Sequence, residues 1–255
     1  MLLLPGLEGS GELYAGLVEQ LGPEFDAKIV KYPHSCRSYV HARAVVREQL
    51  PGSRPFIIVA ESFSTPLAVQ IAAEAQDEID GLVLCNGFVS NPLSGFESMW
   101  ASAAAPWFFQ FPLTSIAARM FLLGADAADG LVAEVQHAVG PAPPDVLCAR
   151  LRAVLGCDAR DALRRLRIPL LCLQSTRDRL VGESPQREML CIKPDLAVER
   201  IDGPHLLLQR EPQRCARIIT RFAGRIVSQP SAVGDRAAIR SRFPRRRQKP
   251  TPTGN

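Results

Sequence analysis

The sequence predicts an α/β protein: a mostly parallel central sheet with helices on both faces and a helical lid inserted before the acid-bearing strand. Three observations predict it. Six short apolar runs alternate with segments whose apolar residues recur every three or four positions, the alternation of a parallel sheet wound with helices. The run at 56–60 is apolar at every position, as in a strand buried on both faces. Between the fourth and fifth runs lies one long interval, 87–168, with no strand pattern.

Taken in order, "LLL" at 2–4 is the first strand, followed by the Gly-bearing turn "PGLEGSG" and helical spacing over 12–21. The run "AKIVKYP" at 27–33 is the second strand and 41–50 a helix. "FIIVA" at 56–60 is the third, and after Glu61-Ser62-Phe63-Ser64 helical spacing resumes over 66–75. "GLVLCN" at 81–86 is the fourth strand, "PLLCLQ" at 169–174 the fifth and "LAVERI" at 196–201 the sixth. The long interval holds the aromatic stretch "SMWASAAAPWFFQFPLTSIAARMFLLG", the turn "GPAPPD" and the helical "VLCARLRAVLG". An apolar helical insertion of this length fits a lid over the strand ends, with a second helical layer as the plainer alternative. The expected division is therefore a core of 1–88 and 156–227, a lid of 89–155 and a disordered basic tail of 228–255.

Composition narrows the function classes. At 255 residues the chain is long enough to bury a core without staples. Its seven cysteines follow no zinc or disulfide spacing and its four histidines share no motif with them, so no metal site is expected. No apolar segment is long enough to span a bilayer, and "MLLLPG" carries no basic lead, so the expected location is the cytoplasm. The net charge of +4 belongs to the end of the chain: residues 1–234 carry 23 basic and 25 acidic side chains, and 235–255 the remaining seven basic and one acidic. Such a tail reads as a solvated extension rather than a nucleic-acid contact.

In sheets of this kind function gathers at the carboxyl ends of the strands. The polar groups there include Ser62 after the third strand, Asp178 after the fifth and His205 after the sixth. Ser62 on a tight strand-to-helix turn has two readings, an ordinary helix cap or a nucleophile held on an elbow. The order Ser, Asp, His favours the second. A serine hydroxyl needs a base to activate it; His205 can take the proton, and Asp178 can fix the imidazole tautomer. Negative charge developing on a carbonyl oxygen needs fixed donors, for which the N–H groups of Phe63 and Leu7 are placed.

Four segments carry a resemblance: "LLLPGLEGSG" after the first strand, "VAESFSTPLA" at the elbow, "TRDRLV" at the acid and "DGPHLLLQREP" at the histidine. Over residues 2–227 the chain resembles the α/β-hydrolase superfamily, and within it the lid-bearing serine esterases. The resemblance implies a Ser62–Asp178–His205 triad, an oxyanion hole of the Leu7 and Phe63 amides, no cofactor and a small-molecule ester as substrate. Two departures stand out: Ala-Glu-Ser-Phe-Ser replaces Gly-x-Ser-x-Gly, and Pro5 stands where the family has histidine. The chain also opens inside what resembles the third strand of the family, so either the fold is trimmed of its leading strands or residues upstream are missing. Thioesterase or acyltransferase chemistry on the same triad, and a non-catalytic binding protein on the same fold, are the alternatives.

The remaining candidates are assigned by position. Glu61, Phe88, Trp107 and Phe108 are expected to line the substrate pocket, Glu61 alternatively making a buried polar contact. Glu8 and Ser10 cap the helix after the first turn. Cys85, on a buried strand, is expected to be inert, and His34, His41 and His137 to serve packing or surface.

Overall fold

The computed structural model describes residues 1–51, 56–93 and 95–228. Its single described sheet has six strands, all parallel: β1 (Leu2–Leu4), β2 (Lys28–Ile29), β3 (Ile57–Glu61), β4 (Gly81–Cys85), β5 (Leu170–Ser175) and β6 (Ala197–Ile201). They lie in the order β2-β1-β3-β4-β5-β6, so the first crossover runs one way and the rest the other. The reversal at β1 and β3 is where such sheets open a crevice at their carboxyl ends.

All six expected strands are present. The second is shorter than the sequence pattern suggests, because β2 pairs only with β1 at the sheet edge and its chain leaves after two residues. Consecutive apolar residues serve opposite faces. Leu2, Leu4, Ile58, Ala60, Leu82, Leu84 and Cys172 pack on one side; Leu3, Val59, Val83, Cys85, Leu171 and Leu173 pack on the other. Helices α2 (Tyr39–Glu48), α3 (Ser64–Glu74), α8 (Arg160–Arg165) and α9 (Ser184–Ile192) cover the first side. Helices α1 (Ala15–Leu21), α10 (Leu207–Arg210) and α11 (Pro212–Ser228) cover the second. Burial on both faces explains why these strands read as unbroken runs rather than alternations.

Between β4 and α8 lie α4 (Gly95–Phe108), α5 (Ser115–Ala117) running into a π-helical turn (Ala118–Leu123), α6 (Asp129–Val139) and α7 (Pro144–Leu155). A small apolar cluster of Ala118, Leu123, Val132 and Val135 joins this segment to Leu206, beside the histidine. The Leu206 N–H donates to the Leu122 carbonyl (2.9 Å), and Arg210 pairs with Asp126 at 2.8 Å. The segment is thus tied to the loop that follows β6. No helix among the described residues is long and apolar enough to cross a membrane. Of the expected basic tail, Ser228 ends α11 and the rest lies outside the described residues.

Candidate active site

Ser62 sits between β3 and α3 with φ 46°, a left-handed conformation that serine adopts only under constraint. The strain is held from both sides: the Ser62 N–H donates to the Cys85 carbonyl (3.0 Å), and its own carbonyl accepts from Thr65 N–H and the Thr65 hydroxyl. The turn presents the side chain at the end of the sheet. His205 Nε2 lies 3.0 Å from Ser62 Oγ, and His205 Nδ1 lies 2.8 Å from Asp178 Oδ2. An ionised carboxylate only accepts, so Nδ1 carries the proton and Nε2 is left to accept from the serine hydroxyl.

Asp178 is fixed in turn. Its Oδ1 accepts the N–H groups of Leu180 (2.8 Å) and Val181 (3.0 Å). Burial pushes its carboxyl up, but the charge and hydrogen bond of His205 and these two N–H groups outweigh burial and hold it below the usual carboxylate range. For His205, burial works against the cation, yet attraction to Asp178, their hydrogen bond and the charge of Glu61 prevail and hold its pKa above the ordinary value.

Ser62, His205, Leu7, Phe63, Glu61 and Phe88 line one cavity of about 480 Å³, closed over by side chains of α4, α6 and α7 including Phe108, Val135 and Leu151. Asp178 lies behind the histidine, outside that lining. Trp107 does not belong to it. The helical turn that brings Phe108 to the cavity sends Trp107 outward, where it is 67 % exposed and packs edge-on against Phe111 with ring centroids 5.2 Å apart. Glu61 is buried at the cavity wall, and its Oε2 accepts from Gln209 Nε2 at 3.2 Å. Burial, then the charge of Glu8, push its pKa up to about 7 against the pull of His205 and Gln209. Glu8 also lines the cavity, and burial raises its pKa despite nearby backbone N–H groups and Arg150. Of the pair Glu8 and Ser10, Ser10 Oγ accepts the Glu12 N–H at 3.2 Å. Cys85 is wholly buried on β4, and burial places its thiol well above the usual range.

The departures at the elbow are accommodated. Ser64, where glycine is usual, accommodates its side chain by hydrogen bonding to the Tyr32 hydroxyl (2.7 Å) and donating to the Pro5 carbonyl, which ties the elbow to the turn after β1. Two site residues escaped the sequence reading. Asn86, at the end of β4 with φ 45°, donates from Nδ2 to the His205 carbonyl (2.6 Å) and to Ser175 Oγ (2.7 Å), and its Oδ1 accepts the Ser175 N–H (2.8 Å). Its signal was an Asn directly after a strand, a residue type that tolerates left-handed backbone. Arg150 had none: its place in a helical pattern gives no hint that it is fully buried.

A family model described as the alpha/beta hydrolase family matches residues 3–218. No curated protein sequence matches the chain. Among solved structures, the enol-lactonase from Burkholderia xenovorans LB400 is similar at 14 % identity and TM-score 0.72, covering 88 % of this chain and 90 % of that one. A thermophilic esterase from Thermogutta terrifontis is 18 % identical with TM-score 0.72, covering 88 % and 89 %. A bromoperoxidase from Bacillus anthracis is 16 % identical with TM-score 0.74, covering 88 % and 91 %. At these identities the neighbours speak to the fold, while the family match spans most of the chain, and with it the chain belongs to the alpha/beta hydrolase family.

Proposed function

We propose that the protein is a serine hydrolase that cleaves carboxylic esters with small to medium apolar acyl groups. The observation that carries the reading is the chain of contacts Ser62 Oγ–His205 Nε2–Nδ1–Asp178 Oδ2, at 3.0 and 2.8 Å, with the serine on a strained turn at the cavity floor. As Ser62 Oγ attacks the ester carbonyl, its proton passes to Nε2, and the buried Asp178 carboxylate stabilises the imidazolium that forms. The N–H groups of Leu7 and Phe63, the latter at the N-terminus of α3, donate to the oxyanion. His205 returns the proton to the departing alkoxide, leaving an acyl group on Ser62. Water, deprotonated by the same nitrogen, then releases the acid.

The cavity supports the choice of substrate. Its wall is apolar apart from the reacting groups, Glu8 and Glu61, and these two carboxyl groups disfavour an anionic acyl chain. The segment 89–155 acts as the lid, shielding the acyl-enzyme from bulk solvent.

Hydrolysis of p-nitrophenyl acetate, butyrate and octanoate by wild type and Ser62→Ala tests this. Wild-type turnover with the variant at least about 10³-fold slower is expected. Equal inactivity of both folded proteins on all three esters would sink the esterase reading and leave a ligand-binding role on this fold.

A further inference from the structure

Arg150 has no surface exposure, yet it is the largest side chain in the interior and lies on α7, in the segment inserted between β4 and β5. Each of its five N–H donors meets a main-chain carbonyl. Nη1 donates to Leu7 O (2.9 Å) and Glu8 O (2.8 Å), Nε to Cys36 O (2.9 Å), and Nη2 to Tyr32 O and Pro33 O (both 3.2 Å). Its guanidinium also sits 5.8 Å from the centre of the Tyr32 ring. Gly9 makes the approach possible: at φ 75° it has no Cβ, and one built there would overlap the guanidinium. Burying a cation costs several kcal/mol, and an apolar residue of similar volume usually serves stability as well or better. The five-point grip therefore points to geometry as what Arg150 supplies.

We propose that Arg150 is a positioning residue for the oxyanion hole, and this rests on the hydrolase reading above. The Leu7 N–H belongs to the Gly6–Leu7 peptide. Ahead of it, the Pro5 carbonyl is held by the Ser64 hydroxyl from the elbow. Behind it, the Leu7 and Glu8 carbonyls are held by Arg150. Holding the peptides on both sides narrows the range over which the plane between them can turn, which matters because Gly6 on its own would leave that plane free to rotate. The Tyr32 N–H donates to the Gly9 carbonyl (2.8 Å), so the second loop under Arg150 braces the first. The same helix reaches the cavity through Leu147, Leu151 and Val154, one turn before, next to and one turn after Arg150. An acyl chain resting on α7 thereby bears on the turn that holds the carbonyl oxygen. Donors aimed before the reaction begins are what make an oxyanion hole effective.

Arg150→Lys and Arg150→Met, assayed with p-nitrophenyl butyrate, separate positioning from mere support. Activity is expressed per serine titrated with a fluorophosphonate, so unfolded protein does not count. The expected result for Arg150→Met is a kcat lower by about 30- to 100-fold with KM changed less than about two-fold, and Arg150→Lys in between. Affinity for a butyl trifluoromethyl ketone, whose adduct carries the oxyanion, falls by the same factor. The acid limb of the pH profile stays in place, because the Ser62–His205–Asp178 contacts are not touched. If Arg150→Met does not fold, Arg150→Lys decides alone, since it keeps the charge and most of the volume. Wild-type kcat and ketone affinity in a folded variant, with only the melting temperature lowered, overturn the proposal. A wild type that neither hydrolyses ester nor binds the ketone overturns the hydrolase reading first, and this inference with it.

Discussion

Two buried carboxyl groups act on one imidazole, and they are treated oppositely. Asp178, in the loop after β5, accepts three N–H groups: Leu180 and Val181 at one oxygen, His205 at the other. Glu61, the last residue of β3, receives only the Gln209 amide at Oε2, and its Oε1 is buried with no partner among the described residues. The consequence is visible in their protonation, with Asp178 below the ordinary carboxylate range and Glu61 raised to about 7. Nearness to His205 does not make a carboxylate its partner. What decides is the number of donors that stabilise the charge and whether one of them is the ring itself. Both groups raise the pKa of His205, but only Asp178 fixes which nitrogen carries the proton.

Replacing Asp178 breaks the comparison most severely. In Asp178→Asn the amide keeps the shape but can donate to Nδ1, which favours the tautomer whose Nε2 already holds a proton. We expect kcat on a p-nitrophenyl ester to fall about 10⁴-fold with KM little changed. If Glu61 were the true partner, Asp178→Asn would stay within about ten-fold of wild type and Glu61→Gln would take the large loss.

The second effect in size concerns how the ring is held from its main chain. Asn86→Gly removes the side chain's hydrogen bonds to Ser175, Pro204 and His205 while tolerating the left-handed backbone that Ala would strain. The Ser175 N–H then loses its acceptor, and the His205 carbonyl loses the Asn86 donor while keeping the Leu207 N–H. Stability should fall by about 1–3 kcal/mol in a denaturant titration. A loss of about ten-fold in kcat/KM is expected alongside it, as His205 drifts from Ser62. Unchanged activity would show that Asp178 positions the ring unaided.

How much of this was legible follows from which signals are local. The four inner strands β1, β3, β4 and β5 were readable because burial on both faces leaves runs of apolar residues, as in Ile57–Glu61 and Leu170–Ser175, whereas the edge strands β2 and β6 are partly exposed and show a weaker pattern. Ser62, Asp178 and His205 were readable as candidates because each follows a strand, and chain order narrows the possibilities. Trp107 and Phe108 were not separable by sequence: adjacent on one helix, they point about 100° apart and both stay partly exposed, and only the packing of α4 on α7 decides which reaches the cavity. Arg150 was invisible for a different reason. Its partners are main-chain carbonyls, and carbonyls are the same in every residue. Ser64 lay between these cases, expected as a small residue at the elbow, while its bond to Pro5 depends on a turn 59 positions away.

Glu61→Gln gives the smallest change in rate and the sharpest test of the contrast between the two acids. Removing its charge takes away one of the influences that raise the His205 pKa, so the acid limb of kcat/KM should move to lower pH than in the wild type. The plateau should stay within about two-fold, because Asp178 still fixes the tautomer. Stability should respond with the sign of a raised acid. A carboxyl whose folded pKa is about 7, against about 4.3 in the unfolded chain, disfavours folding increasingly as pH rises from 4.3 through 7. The glutamine variant should therefore match wild type near pH 4 and exceed it at pH 8, by on the order of 1 kcal/mol once the partnerless oxygen is gone. Gln209 Oε1, also buried without a partner among the described residues, is offered an amide N–H by the new side chain. Denaturant midpoints at the two pH values check the sign. A variant less stable than wild type at pH 8 would mean that the Glu61 charge is supported after all, and that the two carboxyl groups differ in geometry but not in charge.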